Sequence, residues 1–181
     1  MNRLEQAFEN FLSEAFRFEG LADYRVPEEA PILTAYLNGE LFAPEKSASW
    51  QNYFAEWHAF VRKRTADGRR LVRVRMIPSV ISPYVNMELE WGYPHNIEAG
   101  EEVFVITEAD CRPIFAGNPG DFWLFDKVTA IDMHYSSDGS FIDATSGKLT
   151  SGTYLRLRDA LLKKSISLRE YLKKRRTTHQ F

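Results

Sequence analysis

A single cysteine, Cys111, leaves the chain with no internal disulfide framework and no cysteine-rich zinc site. No apolar run approaches the roughly 20 residues that span a bilayer. Acidic residues also stand where a signal peptide would carry its apolar stretch, so a soluble, cytoplasmic protein with no membrane association is expected. The four histidines (His58, His95, His134, His179) are scattered without ligand spacing, so neither a metal nor another cofactor is expected. There is no P-loop, dinucleotide glycine fingerprint, His-Glu-x-x-His helix or nucleophile elbow. Internal repeats, heptads and low-complexity tracts are missing too. These absences leave catalytic residues unassigned and favour a non-enzyme.

What the chain does have is aromatic bulk and segregated charge. Thirteen Phe, eight Tyr and four Trp within 44% hydrophobic residues argue for a folded domain and against disorder. A length of 181 residues fits one α+β domain, with 150–181 as a C-terminal helical appendage. The 23 basic and 25 acidic side chains nearly cancel, but they lie in blocks. Arg62 to Arg75 carries seven bases and one acid, Asp67; Glu88 to Asp126 carries nine acids and one base, Arg112; Lys163 onward is basic again. Such blocks either neutralise one another inside the fold or face partners and anionic ligands.

Apolar spacing predicts a first helix over Leu4–Phe16, a second near Glu29–Asn38 and a third near Trp50–Arg64, whose stripe is Trp50, Phe54, Trp57 and Val61. Between the first two, Phe16-Arg-Phe-Glu-Gly20 and Tyr24-Arg-Val26 read as short extended pieces ending at Pro27. Period-two alternation predicts strands at Arg70–Ile77, Glu102–Thr107, Phe122–Phe125 and Ala130–Tyr135. Pro83–Trp91 leans towards helix. Asp138-Gly139 signals a hairpin, and helix resumes over Ser151–Lys164. The last helix opens on a capping box, Ser167 with Glu170, stapled by Ile166 and Tyr171. The expected fold is a single, mainly antiparallel sheet of about five strands with N- and C-terminal helices packed against it.

Alternation puts Arg73 and Arg75 on one strand face, where they grip a phosphate or pair with acids such as Glu88 and Glu90. Asp121-Phe-Trp-Leu-Phe-Asp126 carries aromatics on both faces, as a covered central strand does. Its flanking Asp121 and Asp126 suit turn caps more than metal or base chemistry. Asp132 and His134 share a strand face, yet no nucleophile points to them. The Trp50–Trp57 stripe reads as core, and the basic run 173–176 as a solvated helix end or a weak nucleic-acid contact.

These residues resemble an actinobacterial family of unknown function, domain of unknown function 6879. The likeness runs through Phe16-Arg-Phe-Glu19, Tyr24, Arg73-Val-Arg75, Pro78, Ser82-Pro-Tyr84, Gly100-Glu101, Asp121-Phe-Trp-Leu-Phe-Asp126, Tyr135 and Asp138-Gly139. Pro83 stands where the family pattern has an acid. The resemblance implies a small cytoplasmic domain associated with helix-turn-helix regulators of toxin–antitoxin type, and it brings no enzymatic activity. It singles out Arg73, Arg75, Tyr84, Glu101, Asp121, Trp123 and Asp126 as ligand- or partner-binding positions. Two functions are therefore expected in competition. One is an accessory or regulatory interaction protein with a protein partner and at most weak, non-specific nucleic-acid binding. The other is a phosphate-ligand or nucleic-acid binder, or an enzyme, using Arg73 and Arg75.

Overall fold

The computed structural model describes residues 2–40, 48–115 and 120–178, without the side chains of 48–53 and 178. Seven strands form one sheet: β1 (Glu14–Glu19), β2 (Arg70–Ile77), β3 (Glu102–Thr107), β4 (Asp121–Phe125), β5 (Thr129–Tyr135), β6 (Phe141–Ser146) and β7 (Ile166–Ser167). Their spatial order is β6-β5-β4-β1-β2-β3-β7. The helices are α1 (Arg3–Asn10), α2 (Ala30–Leu37), α3 (Ala48–Ala66), α4 (Pro83–Met87), α5 (Tyr93–Ala99), α6 (Glu108–Phe115), α7 (Ser151–Lys164) and α8 (Leu168–Thr178). A π-helical turn, Glu88–Gly92, joins α4 to α5. Among the described residues, no helix is long and apolar enough to cross a membrane.

The α+β class is as expected, but the sheet has seven strands and is mixed. β1, β2 and β3 run parallel at its centre, while β4, β5, β6 and β7 join by antiparallel pairing. The reason lies in the connections. Helices occupy both the β1–β2 and the β2–β3 links, and such crossovers bring the chain back in the same direction. From β4 to β6 only short turns intervene. At the β4–β5 turn both central residues have positive φ (Asp126 51°, Lys127 64°), the geometry of a two-residue hairpin turn.

The predicted first helix ends early. α1 opens on a capping box between Asn2 and Glu5 and stops at Asn10, because Phe11 is extended (φ −64°, ψ 144°). Beyond it, Ala15, Phe16 and Phe18 pair in β1 between β2 and β4: sheet pairing overrides the helical spacing of Ala15 and Phe16, and the extended piece expected from Phe16 onward forms most of the strand. In α3, Phe54 and Val61 are buried and Trp57 is half-buried; the side chains of Trp50 and Tyr53, like His179, lie outside the described residues. At α8, the Glu170 amide donates to Ser167 Oγ (3.2 Å), and Ile166 and Tyr171 pack on one apolar cluster as a staple requires.

The two sheet faces differ in character. One is mainly apolar: Phe16, Phe18, Val72, Val74, Met76, Phe122 and Leu124 pack beneath Cys111 of α6 and Tyr154 and Leu161 of α7, with Glu14 of β1 buried in an ion pair to Arg158 of α7 (2.6 Å). The opposite face carries Arg17, Glu19, Arg73, Arg75, Asp121 and Trp123 in the alternate positions. An apolar cluster around Phe11, Val61, Leu71 and Phe125 lies at one end of it, and another around Ile77, Val85, Leu89 and Val103 at the other.

The β5–β6 hairpin turns at Asp138-Gly139 as expected, and it also anchors the segment after β1. Gly139 O accepts from the Arg25 amide (2.9 Å), and Gly139 has φ +83°. A Cβ there would lie 2.9 Å from Asp23 O. Gly139→Ala combines a strained φ with this backbone clash, so a destabilisation of about 1–3 kcal/mol is expected. Thermal melting checks it, at roughly 2–4 °C per kcal/mol.

Candidate functional site

The β1–β2 register sets Arg17 beside Arg73 and Glu19 beside Arg75. Like charges directly across a strand pair repel. Here the acids of neighbouring elements separate them. Arg73 Nε donates to Glu101 Oε1 (2.7 Å), and Arg73 Nη1 donates to Glu19 Oε1. Arg17 Nη2 donates to Asp121 Oδ2 (2.7 Å), with its Nε 3.7 Å from Glu19. Arg75, 0% exposed, donates to the carbonyls of Leu21 and Ala22, lies over the Tyr24 ring and has its Nε 3.8 Å from Glu88. Hydroxyls and ring N–H groups complete the set: Tyr24 to Asp121 (2.6 Å), Tyr84 to Glu29 (2.7 Å) and Trp57 Nε1 to Glu101 (3.2 Å).

Burial penalises the charge of the Glu19 carboxyl, but the Arg73, Arg17 and Arg75 guanidiniums outweigh that and hold it below the usual carboxylate range. Glu88 goes the other way. Burial, with Glu19 and Glu29 nearby, pushes it up to about 8 against the pull of Arg75. Glu29, buried beside Glu19, is pushed up to about 7. The geometry agrees. Tyr93 Oη lies 2.9 Å from Glu19 Oε2 and 3.0 Å from Glu88 Oε2. One hydroxyl has one proton, so Tyr93 donates to Glu19 while a protonated Glu88 donates back to Tyr93. With Glu88 neutral, the cations Arg17, Arg73 and Arg75 balance the anions Glu19, Glu101 and Asp121.

Above this layer opens a cleft of about 1080 Å³. Arg17, Glu19, Arg73, Glu88 and Tyr93 line it below, and Phe8, Trp57, Phe60 and Trp123 give it an aromatic wall. Exposed Glu5, Glu9, Glu28 and Glu56 also line it, with Phe141 of β6.

Of the residues expected from sequence, Arg73, Arg75, Tyr84, Glu101, Asp121 and Trp123 gather on or beside this layer. Arg73, Tyr84 and Trp123 reach the cleft; Arg75, Glu101 and Asp121 lie outside its lining. Asp126 is elsewhere. It caps the α1–β1 link, accepting from the amides of Leu12, Ser13 and Glu14 (2.8, 2.7 and 3.1 Å). Asp132 and His134 part company: Asp132 accepts from Tyr154 (2.5 Å), and His134 Nε2 lies 2.9 Å from Thr145 Oγ1. Glu90, named as a partner for the arginines, accepts from Tyr36 instead (2.9 Å). Sequence reasoning passed over Arg17, Glu19, Glu29 and Tyr93, and it read Trp57 as core. The alternation Phe16-Arg-Phe-Glu19 is the signal that would have found the first two. Among the described residues, no group of three or more His, Cys, Asp or Glu is placed to hold a metal ion.

The model of one family, Domain of unknown function (DUF6879), matches residues 2–173. No curated protein matches the chain.

Two outcomes follow from the ion layer. Arg73→Ala strands Glu19 and Glu101 without their shared cation, and an expected loss of about 3–5 kcal/mol should appear as a lowered melting temperature. The pH dependence has a definite sign. Glu88 and Glu29 hold protons more tightly folded than unfolded, so their contribution is full below their ordinary value of 4.5 and is lost as pH rises through about 7 and 8. Melting temperature should therefore fall between pH 5 and about 8.5, and Glu88→Gln should flatten that fall.

Proposed function

The chain belongs to the family described as Domain of unknown function (DUF6879), a membership that assigns no activity, and we propose its function from the cleft. The protein is a non-catalytic interaction protein that holds part of a protein partner against its charged sheet face. The observation that carries this reading is the internal pairing of Arg73 and Arg75. Their charge is taken up by Glu101, Glu19 and backbone carbonyls, so the layer makes a rigid floor, and the aromatic cleft above it is left for a guest. A DNA-binding regulator of toxin–antitoxin type, expected from the family resemblance, is the partner class we carry forward, with action in the cytoplasm. The site comprises Arg73, Tyr84 and Trp123 at the cleft and Arg75, Glu101 and Asp121 as its support.

The alternative, a phosphate ligand or nucleic acid gripped by Arg73 and Arg75, has the same pairing against it. A phosphate would have to displace carboxylates already bonded at 2.7 Å in a buried layer. Any nucleic-acid contact falls to the basic blocks outside the cleft and stays weak and salt-sensitive.

Capture from the native host tests the proposal. Wild-type protein should retain one protein in near-stoichiometric amount, and Glu56→Lys or Phe141→Asp, both at exposed positions, should lose it without a change in melting temperature. A captured set that is the same for wild type and both variants would count against the cleft. Turnover of phosphate esters that vanishes in Arg73→Lys would favour the alternative.

A further inference from the structure

The chemistry of the cleft narrows its occupant, on the reading that the cleft is a partner site. Its rim is acidic and uncompensated. Glu9, Glu28 and Glu56 are exposed and have no cation partner among the described residues. Among the described residues of the rim, the exposed cation Arg25 is paired with Asp138 (2.8 Å). The wall between rim and floor is aromatic, and aromatic faces attract cations. The protein uses that contact repeatedly: Arg17 lies 5.6 Å from the Trp123 ring centre, Arg73 5.7 Å from Tyr93 and Arg64 5.0 Å from Phe60. A planar guanidinium suits such walls and carboxylates together better than a strongly hydrated ammonium does.

Two further features call for more than a small cation. The volume of about 1080 Å³ lies just above the range of roughly 300–1,000 Å³ usual for small-molecule sites. Arg17, only 4% exposed and part of the cleft lining, leaves its Nη1 without a hydrogen-bond acceptor among the described residues. A guest bearing carbonyl oxygens supplies that acceptor, which a polyamine lacks. At the mouth, Phe141 is exposed on β6, and past the bridge between Arg25 and Ser140 the outer edge of β6 pairs with no strand among the described residues. Edges of this kind accept extended polypeptide.

We propose that the occupant is an extended, basic stretch of a partner polypeptide that lies beside β6 and inserts one arginine side chain between the aromatic wall and the acidic rim. Glu28 and Glu56 neutralise the guanidinium, the Trp57 ring stacks on it, and a main-chain carbonyl of the segment faces Arg17.

Calorimetry with blocked decapeptides of Gly, Ser and Thr around one central residue tests this. Arginine at the centre should bind tightest, and citrulline, its neutral isostere, should bind at least about tenfold more weakly. Glutamate should not bind, and added salt should weaken the arginine peptide. The double variant Glu28→Gln/Glu56→Gln should lose the preference while melting as wild type. The inference is overturned by equal binding of citrulline, by tighter binding of glutamate, or by no peptide binding up to about 1 mM. It is likewise overturned if arginine amide alone binds as tightly as the peptide, or if sedimentation shows a dimer that Glu56→Lys dissolves. Any of these results beside intact, cleft-dependent capture removes the basic segment and keeps the partner. Loss of that capture beside arginine-selective peptide binding removes the regulator and keeps the chemistry.

Discussion

Everything on the charged face depends on one carboxylate, that of Glu19. It takes a hydrogen bond from Arg73, lies within 3.7 Å of Arg17 and shares the field of Arg75, so three guanidiniums on two adjacent strands can coexist in a nearly dry layer. Without it, the parallel pairing of β1 and β2 would set Arg17 against Arg73 with nothing between them. Burying this much charge is not an efficient route to stability, since well-packed apolar residues commonly do as well. What the layer adds is register. A slip of one residue in β1 would turn Phe16 and Phe18 into the carboxylates and drive Arg17 and Glu19 under α7.

The π turn at Glu88–Gly92 extends the same logic into the helical layer. One widened turn inside the α4–α5 segment allows Glu88 to approach Arg75 and Tyr93 to reach both Glu19 and Glu88. Such turns interrupt helices at a cost and are frequent at functional sites. Two tyrosines, Tyr84 and Tyr93, place their hydroxyls on the buried Oε2 atoms of Glu29 and Glu19, while Tyr24 shares Asp121 Oδ2 with Arg17.

How much of this was legible follows from the range of the forces involved. The α7 and α8 helices, the β2 strand and the Asp138-Gly139 hairpin rest on local chemistry (caps, alternation, a positive φ), and all are found where the pattern puts them. β1 was legible only in part: Phe16 to Glu19 read as extended, but the start of the strand was hidden because Phe8, Phe11, Ala15 and Phe16 satisfy a helical repeat that pairing with β2 and β4 overrules. The parallel centre of the sheet was hidden for a related reason: its direction is set by helices in the connections, and the strands themselves carry no mark of it. The charge blocks announced that Arg73 would meet an acid, and it meets Glu101. They did not announce Glu19, which lies far from the acidic block in sequence. Trp57 looked like core because its stripe neighbours Phe54 and Val61 are core; the cleft begins where that stripe turns outward.

The position of β1 has a consequence for synthesis. Among the described strands of this sheet it is made first, and it sits in the middle of the finished sheet, between partners that begin at Arg70 and Asp121. Until Ile77 has been made it therefore has neither neighbour, and until Phe125 has been made it has only one; closing such long-range pairings is slow. A wholly apolar strand waiting in that state would be an aggregation hazard. The alternation Phe16-Arg-Phe-Glu19 gives the nascent segment one charged face, so the residues that later lock the register also act as gatekeepers until β2 and β4 arrive.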